Sequence, residues 1–220
     1  MSPPATRRYG GLDAEQRRND RRARLVEAAT ELFGTAGYAA TPIAEVCRAA
    51  GVAPVHFYEL FETKEDLLRA VYDKINQDTQ AAILEAVLAV EATDVLGRIE
   101  AGVSTFCAQM MADPARARVH CLEAVGVSPE MEAHRRDVIH AYRDLLVAQF
   151  HEARAALGVE RSLSDRQEQA VATMIVGGID EVVIDWVLRE DRTPIEDVTT
   201  AVAGVLSATS SWLLGGETVR

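Results

Sequence analysis

The chain is poor in cysteine, in aromatics and in long apolar runs, and each shortage narrows what it can be. Three cysteines among 220 residues, Cys47, Cys107 and Cys121, are odd in number, far apart and without a Cys-x-x-Cys pair. Neither a disulfide framework nor a thiolate zinc site is indicated, and a reducing cytoplasm is the expected setting. No apolar stretch reaches the roughly 18 residues of a bilayer span and no segment resembles a signal peptide, so a soluble protein without a membrane partner is expected. G-x-S-x-G, P-loop, H-E-x-x-H and paired-carboxylate signatures are all missing. No catalytic residue and no cofactor is therefore expected, and an enzyme is the less favoured class. His120, His134, His140 and His151 form no i, i+4 pair and have no cysteine at ligand spacing, so no metal site is expected either.

What the chain does have is apolar residues, 48% of the total, recurring at helical spacing almost throughout. The expected fold class is all-α, with enough apolar surface for one ample core or for a small domain joined to a larger one. The net charge of −11 is unevenly spread. Residues 1–24 carry seven arginines against three acids, a local +4; residues 1–72 are neutral overall, and residues 73–220 hold the whole −11. A basic leading edge on an otherwise acidic chain leaves a nucleic-acid partner open.

Four helices are predicted in the first third. The first runs from about Arg21 to Phe33 on Leu25, Ala29, Leu32 and Phe33, and the second follows Thr41 as N-cap and Pro42 as first helical residue, burying Ile43, Val46, Cys47 and Ala50. Gly51 ends it and Pro54 starts a third. Thr63 opens a fourth with a Thr63, Asp66 capping-box spacing and Leu67, Leu68, Val71, Tyr72 and Ile75 turned inward. Two short helices joined by a glycine turn within about 20 residues describe a helix-turn-helix. Phe57 and Phe61, four apart, share the inner face of the third helix. Tyr58, rotated about 100° from Phe57, points outward, where its hydroxyl can reach a DNA phosphate or merely complete a core edge.

Residues 24–73, with their LFGTAGYAAT turn, AAGVA turn, FYELF helix and TKEDLL helix start, resemble the DNA-binding domain of the tetracycline-repressor (TetR) family of bacterial regulators. The resemblance implies a homodimeric transcriptional regulator that binds double-stranded operator DNA, with Thr41, Arg48, Pro54, Val55, His56, Tyr58 and Lys64 as its DNA-contacting residues. It implies a basic flexible arm over 1–20, a helix-turn-helix domain over 21–72 and a helical ligand-binding and dimerisation domain over 73–220. Where family members commonly carry a hydroxyl, a cation and a second hydroxyl, this chain has Pro42, Ala44 and Ala53. Part of the phosphate affinity is then expected from the arginine leader, by counterion release. A helical interaction module with weakened DNA binding is the alternative.

In the acidic remainder, proline and glycine punctuation predicts helices over 94–111, 114–125, 129–157, 164–190 and 194–214, after a fourth helix continuing to about Ala92. Phe106, Met110, Cys121, Tyr142, Phe150, Met174 and Trp186 are candidates to line a cavity for an apolar or aromatic effector, with plain core packing as the alternative for each. Gly177, Gly178, Gly204 and Ala208, on the last two helices, permit the close approach of an isologous four-helix dimer interface.

Overall fold

The computed structural model describes residues 9–160 and 163–213, and among these every regular element is helical. In order they are α1 (Tyr9–Thr35), α2 (Ile43–Ala50), α3 (Pro54–Tyr58), α4 (Lys64–Ala89), α5 (Val95–Met111), α6 (Pro114–Arg118), a π-helical turn (Val119–Glu123), α7 (Pro129–Leu157), α8 (Asp165–Leu188) and α9 (Ile195–Leu213). None of them is long and apolar enough to cross a membrane.

Local chemistry sets most of these boundaries. Gly51 adopts the left-handed conformation (φ 61°), and its N–H reaches the Arg48 and Cys47 carbonyls, which closes α2. Pro54 stands at the start of α3. At α4 the Thr63 hydroxyl accepts from the Asp66 N–H at 3.0 Å while the Asp66 carboxylate accepts from the Thr63 N–H at 2.9 Å, a complete capping box. Ser164 and Gln167 form a second capping box at α8, and the Ser128 hydroxyl caps α7 by accepting from the Met131 N–H. The expected 114–125 helix is divided, because backbone bonding shifts to the wider π pattern after Arg118.

Helices α1 to α4 close around Leu25, Phe33, Val46, Phe57, Leu67, Leu68 and Val71, and the same cluster continues without a break into Phe106, Cys107, Val119 and Val183. The two regions are therefore joined by packing as well as by chain. Helix α4, about 39 Å long at 1.5 Å per residue, contributes to both: Leu67 and Leu68 at its start, Ile83 towards its end. Behind it, α5 lies along α4 and α9, and α7 lies along α8.

A flexible arm over 1–20 does not describe the structure, since α1 begins at Tyr9; residues 1–8, with Arg7 and Arg8, lie outside the described residues. From Leu12 to Arg24 the sequence has neither glycine nor proline, and Arg17 pairs with Asp13 one turn back at 2.6 Å, so nothing interrupts the helix.

At one joint between the regions a helix backbone meets its neighbour with no room for a side chain. A Cβ built on Gly34 would lie 2.4 Å from the Ala115 Cα and carbonyl oxygen, well inside contact distance, so α1 and α6 meet there only because residue 34 has no side chain. Gly34→Ala should cost about 1–3 kcal/mol of stability by forcing the helices apart, despite alanine's better helix propensity. Urea unfolding reads this as a lower midpoint at unchanged slope; an unchanged midpoint would show that the joint yields freely.

Candidate nucleic-acid interface and effector cavity

The helix-turn-helix is anchored from within. Phe57 is wholly buried and Phe61 nearly so, their rings 5.6 Å apart, each contributing on the order of 1.5–3 kcal/mol by burial. Tyr58 packs edge-on against Phe57 at 5.2 Å and remains 61% exposed, while Val55 beside it is 63% exposed. Pro54 is also exposed. The aromatic cluster of α3 thus divides into two anchors and one outward side chain. His56 Nδ1 sits 2.9 Å from a Glu59 carboxylate oxygen, which fixes the ring on the helix surface. Arg48 extends from α2 into solvent, loosely paired with Glu45 at 3.5 Å.

Two of the expected DNA-facing residues are committed to the protein itself. Thr41 is 1% exposed, its hydroxyl donating to the Gly37 carbonyl at 2.8 Å and the Leu32 carbonyl at 3.4 Å. It is not the N-cap of α2; Pro42 holds that position, without a side-chain cap. The hydroxyl finds carbonyl partners in the turn behind it, which a capping role would forfeit. The Lys64 ammonium donates to the Tyr38 and Thr41 carbonyls at 2.8 and 3.1 Å and lies 4.3 Å from the Tyr38 ring centre. It holds the α1–α2 turn through these carbonyls.

The arginines of α1 act similarly. Arg18 reaches the Glu59 carbonyl at 3.4 Å, Arg22 lies over the Phe61 ring at 5.4 Å, and Arg24 donates to the Ala50 carbonyl at 3.3 Å. These three grip the ends of α2 and α3. Charge counting offers them to DNA phosphates and gives no sign of these protein partners.

Between α4, α5, α7 and α8 lies an apolar cavity of about 450 Å³, lined among others by Ile83, Leu84, Val87, Ile99, Gly102, Val103, Leu146 and Ile179. Its polar lining consists of Gln80, Arg98, Gln149 and the Tyr142 side chain. Of the seven expected lining residues, Phe106 and Tyr142 are there. Tyr142 donates to Asn76 Oδ1 at 3.2 Å, and burial, reinforced by Tyr72 and Asp180, pushes its phenol above the ordinary range. Met110, Cys121 and Phe150 are buried elsewhere in the core, because inward-facing positions outnumber those that border a void. Met174 is 65% exposed on the opposite side of α8, and Trp186 donates its indole N–H to the Thr193 carbonyl at 2.9 Å beneath Arg192. Helical spacing gave no signal for Gln80, Arg98 or Gln149, which are polar residues facing an apolar space.

Gly177, Gly178, Gly204 and Ala208 are exposed, and a Cβ on any of the three glycines would meet nothing within 4 Å. Of these, Gly178 borders an apolar groove between α8 and α9 together with exposed Met174, Val182 and Val205; Gly177, Gly204 and Ala208 lie outside it.

The π-helical turn connects the cavity region to the helix-turn-helix. Glu123 accepts the Tyr38 backbone N–H at 2.8 Å and the Arg118 side chain at 2.9 Å. At its other end the turn carries His120 and Cys121 to Asp180 of α8, with one ligand atom from each within 4.8 Å of the others, a grouping that residues 60 positions apart in sequence did not reveal.

Residues 25–71 match the family described as "Bacterial regulatory proteins, tetR family", and residues 73–209 match "YsiA-like protein, C-terminal region". The fatty acid metabolism regulator protein of Bacillus subtilis is 23% identical over 183 residues, 83% of this chain and 91% of the relative. The HTH-type transcriptional regulator BetI of Rhizobium meliloti is 32% identical over 96 residues, 42% of this chain and 47% of its own. Among solved structures, FadR of Bacillus subtilis in complex with stearoyl-CoA superposes with a TM-score of 0.73 at 21% identity, covering 84% of this chain and 97% of that one. FadR of Bacillus halodurans does so with 0.76 at 24%, covering 85% and 94%.

Lys64→Met keeps the aliphatic stem and removes the donors that hold the α1–α2 turn. Charged hydrogen bonds contribute about 1.5–3 kcal/mol each, so faster amide exchange across 38–42 and a lower urea midpoint are expected. Unaltered exchange in that turn would mean the ammonium holds nothing there.

Proposed function

The chain belongs to the TetR family of bacterial regulatory proteins and is a DNA-binding transcriptional regulator; on that premise we propose that it is a homodimeric, ligand-released repressor that lays α3 in the major groove of a palindromic operator. The observation that carries this reading is the outward face of α3, where Val55 and Tyr58 stand exposed on a helix pinned by Phe57 and Phe61. Val55 is suited to apolar contact with a thymine methyl, His56 to a base edge and Tyr58 to a phosphate. Pro54 sets the entry of the helix, and Arg48 supplies a cation. With Thr41 and Lys64 engaged internally, affinity rests on α3, Arg48 and the pairing of two half-sites about 34 Å apart.

The open small-residue face of α8 and α9 supports dimerisation there, each subunit adding two helices to a four-helix interface. The cavity supports an effector with a long apolar body and a polar, acidic head, for which Arg98, Gln80 and Gln149 are the available partners. A fatty acyl-CoA or a free fatty acid has that chemistry, and a related structure of the same fold was determined with stearoyl-CoA. Helix α4 carries Ile83 and Val87 against the cavity and Leu67 and Leu68 within the helix-turn-helix core. A ligand that shifts its far half tilts its near half, changes the half-site separation and weakens DNA binding by a coupling of about 1–3 kcal/mol.

Operator fragments recovered by selection from genomic DNA provide the assay. Tyr58→Phe should weaken binding to operator and to unrelated duplex alike by about 1 kcal/mol, since a phosphate bond carries no sequence information; unchanged affinity would take Tyr58 off the contact surface. Gly178→Glu, folded by circular dichroism, should sediment as a monomer and lose operator binding, whereas a folded dimer would move the interface elsewhere. Palmitoyl-CoA or palmitate should release wild-type protein from the operator while coenzyme A alone does not. Val103→Phe, filling the cavity wall, should bind DNA normally and release at least tenfold less readily; release equal to that of wild type would put the effector outside this cavity.

A further inference from the structure

We propose that His120, Cys121 and Asp180 form a binding site for one zinc-class divalent cation, separate from the effector cavity. The three residues come from the π-helical turn and α8, and none of them lines the cavity. Their ligand atoms lie within 4.8 Å of one another. In a π-helix the rotation per residue is smaller than in an α-helix, so neighbouring side chains diverge less, and His120 and Cys121 can both address Asp180.

The distances inside the group argue for something between its members. His120 Nε2 is 3.8 Å from Asp180 Oδ1, beyond the 2.7–3.2 Å of a hydrogen bond. Bonds of about 2.0–2.3 Å at tetrahedral angles put ligand atoms roughly 3.3–3.6 Å apart, so the His120–Asp180 pair closes by a few tenths of an ångström, and a side-chain rotation within the 4.8 Å group brings Cys121 in. The His120 ring is held by a parallel stack on Tyr72, centres 5.2 Å and planes 4° apart, with Phe106 edge-on at 6.1 Å. Its other nitrogen, Nδ1, is buried with no hydrogen-bond partner among the described residues. Such a polar atom is costly to leave unmatched, and neither ring nitrogen is satisfied by a hydrogen bond from the described residues in this arrangement.

The donor set selects the ion class. One imidazole, one thiolate and one carboxylate suit zinc and its neighbours, whereas calcium and magnesium require oxygen ligands throughout. Three protein ligands leave a fourth position for water. Asp180 retains a partly exposed side chain, which provides the way in, and binding releases the thiol proton as the metal–sulfur bond forms.

Cobalt(II) is the probe, because a cobalt–thiolate bond produces a near-ultraviolet charge-transfer band that nitrogen and oxygen ligands do not. The full-length protein, reduced and metal-free, should develop the band to saturation at one equivalent, and zinc should bleach it. Cys121→Ser should abolish the band, while Cys47→Ser and Cys107→Ser retain it. Asp180→Asn, an isosteric change at a partly exposed position, should keep the band with cobalt affinity reduced at least tenfold. No band in wild-type protein at excess cobalt overturns the site, as does a band that survives in Cys121→Ser or an affinity that is unchanged in Asp180→Asn. None of these readouts involves DNA or the effector, so the proposal stands or falls apart from the repressor mechanism.

Discussion

The arrangement of this molecule depends on how one backbone unit, that of Tyr38, is held. Its N–H is taken by the Glu123 carboxylate and its carbonyl by the Lys64 ammonium. The π-helical turn, the α1–α2 turn and the first residue of α4 are thereby fixed to a single peptide neighbourhood. Charge-assisted bonds of this kind are shorter and about twice as strong as neutral ones. Neither charged group is free to leave without uncovering a partly buried backbone group. The region beyond α4 is therefore tied to the helix-turn-helix by two routes, the length of α4 and this polar junction.

Much of this was legible in the sequence, and the division follows from physics. Short-range rules worked where one residue's local options are few: Gly51 in the left-handed region, Pro54 at a helix start, the Thr63 and Asp66 capping box. Periodicity correctly turned Phe57, Leu67 and Val71 inward and Tyr58 outward. Long flexible cations were a different matter. Lys64, Arg18 and Arg24 each choose between solvent, phosphate and a nearby carbonyl, and the carbonyls they found belong to segments distant along the chain. Thr41 had two chemically reasonable uses for one hydroxyl, and the unused one was the cap. Periodicity also identifies inward faces without saying where facing helices fail to touch, which is why Phe106 and Tyr142 border the cavity while Met110 and Phe150 fill the core.

Electrostatics assign the two regions different tasks. Residues 73–220 hold the whole net charge of −11 while the first 72 are neutral, so the acidic part is repelled by a duplex and the helix-turn-helix is presented to it. The same acidity leaves Arg98 conspicuous among the cavity's lining residues as a cation suited to an acidic head group.

The contact of Gly34 with Ala115 has a bearing on descent. Where a bare glycine meets the backbone and Cβ of a neighbouring alanine, neither position can gain volume alone, and only α6 moving away as a unit would admit a larger residue at 34. Related chains that seat these helices further apart are expected to differ at both positions together and in the length or pitch of the segment that follows. The spacing between the two regions is in that sense inherited as a pair of residues, and a lineage changes it by a coordinated step or keeps it.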